Sequence, residues 1–338
     1  MRFATCSPEN KNPPTGKRVA IVGAGPAGLS AAGFLICKGH EVVVYDMMSE
    51  PGGMVAFAIP DFRFNKTRFY EGIKALKELG VKFVLNTTVG VDVVSLKDLL
   101  EEYDAVIIAT GTWRSRSIGV EGEDLDGVYH ALDLLIDIGL ANKGYKPRHP
   151  IPDFKGKRVA VIGGGDTAVD AARTFVRMGA GEVMIVYRRT KETSKAGAKE
   201  IERAEKEGAK FIPLTVPKRF LGENGRVVGI EALKVKLGEP DSSGRPRPQP
   251  IPGSEHVIPV DYVVLACGEL PTPPPSCEEL GLELDKWGCI VVDEKGRTKV
   301  PGLFAAGDVV TGPSRIGPAF MWGRRVAKAV DEYLSSEG

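Results

Sequence analysis

The sequence is short of the residues that build redox and metal centres. Its 338 residues hold five cysteines and four histidines, and no C-x-x-C occurs among Cys6, Cys37, Cys267, Cys277 and Cys289. An odd cysteine count at wide spacings argues against a disulfide framework, a zinc site or an internal redox dithiol, and makes a reducing, cytoplasmic setting the expectation. A net charge of +1 offers nothing that draws nucleic acid or an anionic membrane. Met1–Thr15 is polar and lacks the apolar core of a signal peptide. The uncharged run Val19–Cys37 is long enough for a membrane helix, but it contains Gly23, Gly25, Gly28, Gly33 and Pro26. A strand, a turn and a soluble helix explain that pattern better. Gln249 is the one glutamine in a chain rich in Glu and Lys, a bias of proteins from hot environments that carries no functional information.

What the sequence does contain is one phrase written twice. Gly16–Gly25 reads GKRVAIVGAG, and Gly156–Gly165 reads GKRVAVIGGG. Around the first, Arg18–Val22 is a β-branched apolar run fit for a buried parallel strand, Pro26–Lys38 has helical spacing, and Glu41–Tyr45 is a second strand. The second copy repeats this with Arg158–Ile162, a helix over Thr167–Met178 and Glu182–Tyr187. Each is a βαβ unit with a right-handed crossover. Further strands are expected at Ala105–Ala109, Tyr262–Ala266, Cys289–Val292 and Leu303–Ala305, with a closing helix over Ala319–Leu334. Gly238–Pro252, rich in Pro and Gly, reads as irregular structure forming a hairpin tip or insertion. Pro271–Pro275 reads as a stiff connector.

Gly23-Ala24-Gly25-Pro26-Ala27-Gly28 is G-x-G-x-x-G, straight after a strand and opening a helix. Its glycines serve a tight turn, close approach to a pyrophosphate and helix–sheet contact, and the helix N-terminus adds N–H groups and positive charge. Asp46, 23 residues after Gly23, closes the second strand where an acid accepts from a ribose hydroxyl. The alternative is a glycine-rich turn of another α/β fold with Asp46 a solvated strand end.

The second copy, Gly163-Gly164-Gly165-Asp166-Thr167-Ala168, ends its second strand in Arg188-Arg189 instead of an acid. Arginine there suits a 2′-phosphate. Two charge-assisted contacts of roughly 1.5–3 kcal/mol each would favour NADPH over NADH by about 100-fold or more. The bland alternative is a pair of solvated surface arginines. Ala109-Thr110-Gly111 and Ala266-Cys267-Gly268 end apolar strands in small-residue turns. Gly307-Asp308, within GLFAAGDV, delivers an acid to a strand end, either as an acceptor for a ribityl hydroxyl or as a helix cap.

The segments VAIVGAGPAGL, PGGMVAFAIPDFR, IIATG, VAVIGGGDTAVDAART, VYRRT, LACGELP and VPGLFAAGDV occur in the order seen in two-dinucleotide flavoprotein reductases. From about Gly16 onward the chain resembles the glutamate synthase small subunit and related ferredoxin–NADP oxidoreductase subunits. The resemblance implies an α/β fold of two Rossmann-like domains, the NADP(H) domain inserted into the FAD domain. Residues 1–15 would be an N-terminal extension, 16–112 and 278–338 the FAD domain, 113–155 a linker and 156–277 the NADP(H) domain. On the FAD side it implies Gly23, Ala24, Gly25, Pro26, Ala27, Gly28, Asp46, Gly53, Met54, Val89, Thr110, Gly111, Gly307 and Asp308. It also implies a helix N-terminus near Ile316-Gly317 at the flavin's pyrimidine edge. On the NADP(H) side it implies Gly163, Gly164, Gly165, Asp166, Thr167, Arg188, Arg189, Glu200 and Gly268.

Three departures stand out. Only about fifteen residues and Cys6 precede the first strand, so no iron–sulfur domain is expected within the chain. Thr193-Ser194-Lys195-Ala196 stands where relatives carry Met-Pro, and Arg315 and Pro318 stand where relatives carry aliphatic or aromatic residues. The expected activity is hydride transfer between NADP(H) and FAD with no acid–base catalyst and no metal. Electrons would then pass directly to a ferredoxin or to a partner iron–sulfur or flavin subunit, with homo- or hetero-oligomers both open. The alternative is a non-catalytic, flavin-holding assembly subunit.

Overall fold

Short apolar strands that are buried on both faces must stack as parallel sheets between covering layers. A computed structural model of the chain shows this twice. The structure describes residues 1–92, 94–241, 244–277 and 279–336. Its elements run β1 (Arg18–Val22), α1 (Pro26–Cys37), β2 (Glu41–Tyr45), α2 (Gly53–Phe57), α3 (Thr67–Glu78), β3 (Lys82–Val84), α4 (Leu96–Glu102) and β4 (Ala105–Ile108). Next come β5 (Arg114–Ser115), β6 (Val128–His130), α5 (Ala131–Asn142), β7 (Arg158–Ile162), α6 (Asp166–Arg177), β8 (Glu182–Val186), α7 (Ala198–Lys206) and β9 (Ala209–Ile212). An antiparallel group, β10 (Thr215–Glu223), β11 (Arg226–Pro240), β12 (Pro246–Pro250) and β13 (His256–Pro259), precedes β14 (Tyr262–Leu265) and β15 (Glu269–Leu270). A short 3₁₀ turn (Pro275–Cys277), β16 (Leu303–Ala305), α8 (Asp308–Thr311) and α9 (Ile316–Ser336) finish the chain.

The chain forms two units, Met1–Arg114 with Glu269–Gly338, and Ser115–Gly268. The first holds a parallel sheet in the order β16-β4-β1-β2-β3. Alternate residues of each strand face opposite sides. Val19 and Ile21 pack with α1, α3 and α9, whereas Ala20 and Val22 pack with Leu96, Leu99 and Leu282. Met1–Thr15 is built into this unit, since Phe3 is fully buried in the α1/α3/α9 layer.

The second unit repeats the sheet as β6-β14-β7-β8-β9, again parallel. Val159 and Val161 face helices α5, α6 and α7, while Ala160 and Ile162 face Phe220, Ile230 and Ala232 of the antiparallel sheet. Residues 113–155 are therefore not a linker: within them β6 forms the sheet edge and α5 buries Leu134, Leu135 and Ile138. The chain leaves this unit after Gly268, earlier than expected, and the expected boundary residue Glu278 lies outside the described residues.

Gly238–Pro252 also departs from its expected irregularity. β11 runs to Pro240 and pairs antiparallel with β12, Val235 opposite Pro250 and Leu237 opposite Pro248. Proline is tolerated because β12 pairs with β11 alone, leaving its other edge without a ladder partner among the described residues. Cys289–Val292 forms no strand; Ile290 makes an isolated bridge to Leu284. Among the described residues no helix is long and apolar enough to cross a membrane.

Candidate functional site

Both repeated phrases build the same turn. Gly23 N–H donates to the Tyr45 carbonyl at 2.8 Å, and Gly163 N–H to the Val186 carbonyl at 3.0 Å. Each thus joins its turn to the end of the second strand. Both glycines have positive φ, +113° and +143°, and a Cβ on either would lie 2.3 Å from a carbonyl oxygen of the adjacent strand, Ala109 or Ala266. Gly25 and Gly165 cap the following helices with no side-chain bond and with nothing within 4 Å of where a Cβ would stand. An open backbone at a helix N-terminus is what a pyrophosphate requires. The third positions differ. A Cβ on Gly28 would meet the Gly23 oxygen at 1.9 Å, whereas the second turn accommodates a buried Ala168 there.

In the first unit the other expected residues converge on this turn. Asp46 is 7% exposed and accepts from Ala24 N–H at 2.6 Å and Met48 N–H at 2.8 Å. Burial pushes its pKa up. The carboxylate therefore fastens the glycine turn to the strand end, and each oxygen retains a second lone pair for a ligand hydroxyl. Gly52 N–H donates to the Ala24 carbonyl, and Gly53 packs so closely on Gly25 that a Cβ would stand 2.8 Å from its Cα. This puts Met54, in the first turn of α2, beside the turn. Thr110 Oγ1 is buried without a hydrogen-bond partner, and the Gly111 carbonyl accepts from Thr272 N–H. Gly307 would bring a Cβ within 2.8 Å of Ala27, so the β16 end closes over the first turn of α1.

Asp308 accepts from Ser314 N–H at 3.1 Å and from Ser314 Oγ at 2.5 Å, and burial raises its pKa. It closes the loop that delivers the start of α9 at Ile316-Gly317. Val89 is the exception: its side chain lies in the apolar layer with Tyr45 and Leu99.

In the second unit the arginine pair splits. Arg188 is exposed. Arg189 is 1% exposed, with Nε donating to the Pro246 carbonyl at 2.8 Å and Nη2 paired to Asp241 at 2.6 Å. Arg189 is thus neither a solvated arginine nor one presented to a phosphate; it pins the β8 end to the β11–β12 hairpin. Ser194 Oγ donates to the Gly164 carbonyl at 2.6 Å, so the departing Thr193–Ala196 segment folds onto the turn. Glu200 lies in the first turn of α7, paired to Arg203 at 2.5 Å. Asp166 and Thr167 open α6 beside the turn. Gly268 has φ +108°, and its carbonyl accepts from Arg116 N–H. Cys267 Sγ donates to the Ile162 carbonyl, and burial pushes its thiol up to about 11, so it is protonated at neutral pH.

Sequence reasoning missed Ser314 and Ser49, whose Oγ is buried three residues after Asp46 with no partner. It also missed Asp241. Serines at turns carry no signal apart from their neighbours; Ser314 becomes legible only once Asp308 is placed. Among the described residues no group of three or more His, Cys, Asp or Glu is placed to hold a metal ion. Cys6 and Cys37 are joined in a disulfide, a pairing that the odd cysteine count and wide spacing argued against.

Residues 17–323 match the pyridine nucleotide-disulphide oxidoreductase family. A glutamate synthase [NADPH] small chain of Halomonas elongata is 41% identical over 95% of this chain and 68% of its own length. The putative oxidoreductase AegA of Escherichia coli is 42% identical over 94% of this chain, which spans 49% of that relative. The chain thus covers about two thirds of the first relative and about half of the second. Its fold matches that of Mycobacterium tuberculosis FprA in complex with NADPH with a TM-score of 0.78 at 23% identity, over 96% of this chain and 85% of FprA. The glycine turns, the duplicated parallel sheets and these matches lead to one conclusion: the chain belongs to the pyridine nucleotide-disulphide oxidoreductase family.

Proposed function

We propose that the chain is an FAD-dependent oxidoreductase that moves a hydride between NADP(H) and the flavin and passes electrons directly to an external redox protein. The observation that carries this reading is a pair of like turns with unlike strand ends, Asp46 buried beside one and Arg188 exposed beside the other. The first turn fits FAD, since glycine cradles, a carboxylate and the unpartnered hydroxyls of Ser49 and Thr110 surround it. The second fits NADP(H), with Arg188 meeting the 2′-phosphate. NADPH in the names of a glutamate synthase small chain and of an FprA complex supports the same assignment.

When bound, the flavin supplies the centre that accepts and releases electrons. The chain's own residues bind and orient. Gly23, Gly25 and the α1 N-terminus cradle one pyrophosphate, and Gly163, Gly165 and the α6 N-terminus the other. Asp308 and Ser314 hold the start of α9, whose positive end stabilises negative charge placed before it. Cys267, protonated and half-buried, takes no thiolate part. The expected acceptors are a ferredoxin or a partner's iron–sulfur or flavin centre, and the expected setting is the cytoplasm. Anaerobic mixing with NADPH tests the reading. Bleaching of the flavin's visible absorbance within seconds supports it; a flavin that binds but stays oxidised leaves the chain as a flavin-holding subunit.

A further inference from the structure

The N-terminal arm is threaded where two helices have been cut away to receive it. Gly33 of α1 faces the Phe3 carbonyl and Gly72 of α3 faces the Met1 carbonyl; a Cβ at either would stand 2.3 Å from the oxygen. The Phe3 ring lies 5.6 Å from Phe69 of α3 and 6.0 Å from Phe320 of α9. Arg324 Nη2 of α9 donates to the Phe3 carbonyl at 3.0 Å. One buried aromatic thus wedges α1, α3 and α9 together. Two of these, α1 and α9, begin at Pro26, capped by Gly25, and at Ile316, the ends assigned above to the flavin.

The arm is fastened at one covalent point. Cys6 is bonded to Cys37, the last residue of α1, and both are only half-buried. Beyond it the arm follows α1 by Asn12 N–H to the Cys37 carbonyl and Thr15 N–H to the Gly39 carbonyl. The bond sits at the end of α1 opposite the glycine turn, about 18 Å along a helix of this length. It is misplaced to relay electrons to a group bound at that turn. It is well placed to decide whether the arm stays down.

We propose that Cys6–Cys37 is a thiol–disulfide exchange site for a dithiol reductant, and that its reduction unlatches the Phe3 arm and loosens the flavin site. The second half of this statement rests on the FAD assignment above. In the exchange, a reductant thiolate bonds to Cys6 Sγ and Cys37 Sγ leaves as thiolate and takes up a proton. The reductant's second thiol then attacks the mixed disulfide. Cys6 leaves as a thiol and the reductant as its disulfide, a transfer of two electrons and two protons. Loss of the cross-link frees the 31-residue separation it closes, and the arm exchanges its packed state for an open one.

The test uses the full chain, oxidised or treated with dithiothreitol under native conditions, alongside Cys37→Ser and Phe3→Ala. Thiol counts after denaturation should give three in the oxidised protein and five after reduction, from the two bonded and three free cysteines. Trypsin should cut after Arg2 or Lys11 in the reduced protein and in both variants but not in the oxidised protein, read by mass. Flavin should leave the reduced protein roughly tenfold faster. Arm cleavage needs no flavin, so it tests the latch even if FAD assignment fails. Five thiols in the oxidised protein overturn the proposal. So does a fully reduced protein whose arm stays protected. If the arm opens while bound flavin leaves at an unchanged rate, the coupling to the flavin site is overturned.

Discussion

Arg188 and Arg189 are neighbours in sequence and opposites in environment. The fingerprint position flagged both, because nothing in a dipeptide tells which side chain turns inward. What turns Arg189 inward is Asp241, 52 residues on, in a hairpin whose existence the prolines disguised. A single substitution at each position separates the roles. Arg188→Ala should raise the Kd for NADPH by about 10- to 100-fold and leave that for NADH nearly unchanged, the loss of one charge-assisted contact of roughly 1.5–3 kcal/mol. Arg189→Ala should instead destabilise the fold, because it leaves Asp241 without this partner and voids a buried site. Titration calorimetry and thermal melts of the two variants check this. Asp46 and Asp308 were legible as acids at strand ends. That each spends its carboxylate partly on its own backbone or loop was not, since those partners are N–H groups without sequence identity.

At the scale of elements, continuous apolar strands and glycine-ended helices were readable because burial on both faces leaves few alternatives. β10 to β13 were not, as their pairing depends on a partner strand and not on local composition. Residues 113–155 misled for a related reason: β6 is three residues long and gains its place only by lying beside β14. Helix α6 shows how ion pairs then fix elements in place. Arg173 and Arg177 both donate to Glu207, after α7, and hold its carboxyl down to about 2. A folded-state pKa below the unfolded one stabilises above the unfolded value and is lost as pH falls through the folded value. The contribution is therefore complete above about pH 5 and fades between the ordinary glutamate value of 4.5 and about 2. Urea denaturation should show Glu207→Gln less stable than the parent by on the order of 1–3 kcal/mol at pH 7, the gap closing across that acid window. A gap that is constant with pH would assign the loss to packing.

At the scale of the whole molecule, the duplication was the most legible feature and the disulfide the least. Spacing and an odd cysteine count hid Cys6–Cys37, because only the fold-back of the arm brings their Cα atoms to 5.6 Å. The duplication, by contrast, is written in the chain twice and built twice, with four strands in the same order, β4-β1-β2-β3 and β14-β7-β8-β9, and matching turns. The central claim is that these turns hold two different dinucleotides at once. Its direct test is stoichiometry: flavin released on denaturing the purified chain, and NADPH bound by the flavin-loaded chain in an anaerobic titration. The account predicts one FAD per chain, one further NADPH per chain, and no displacement of flavin at saturation. Flavin driven off by NADPH in proportion to its binding would mean a single shared site, and would contradict the account.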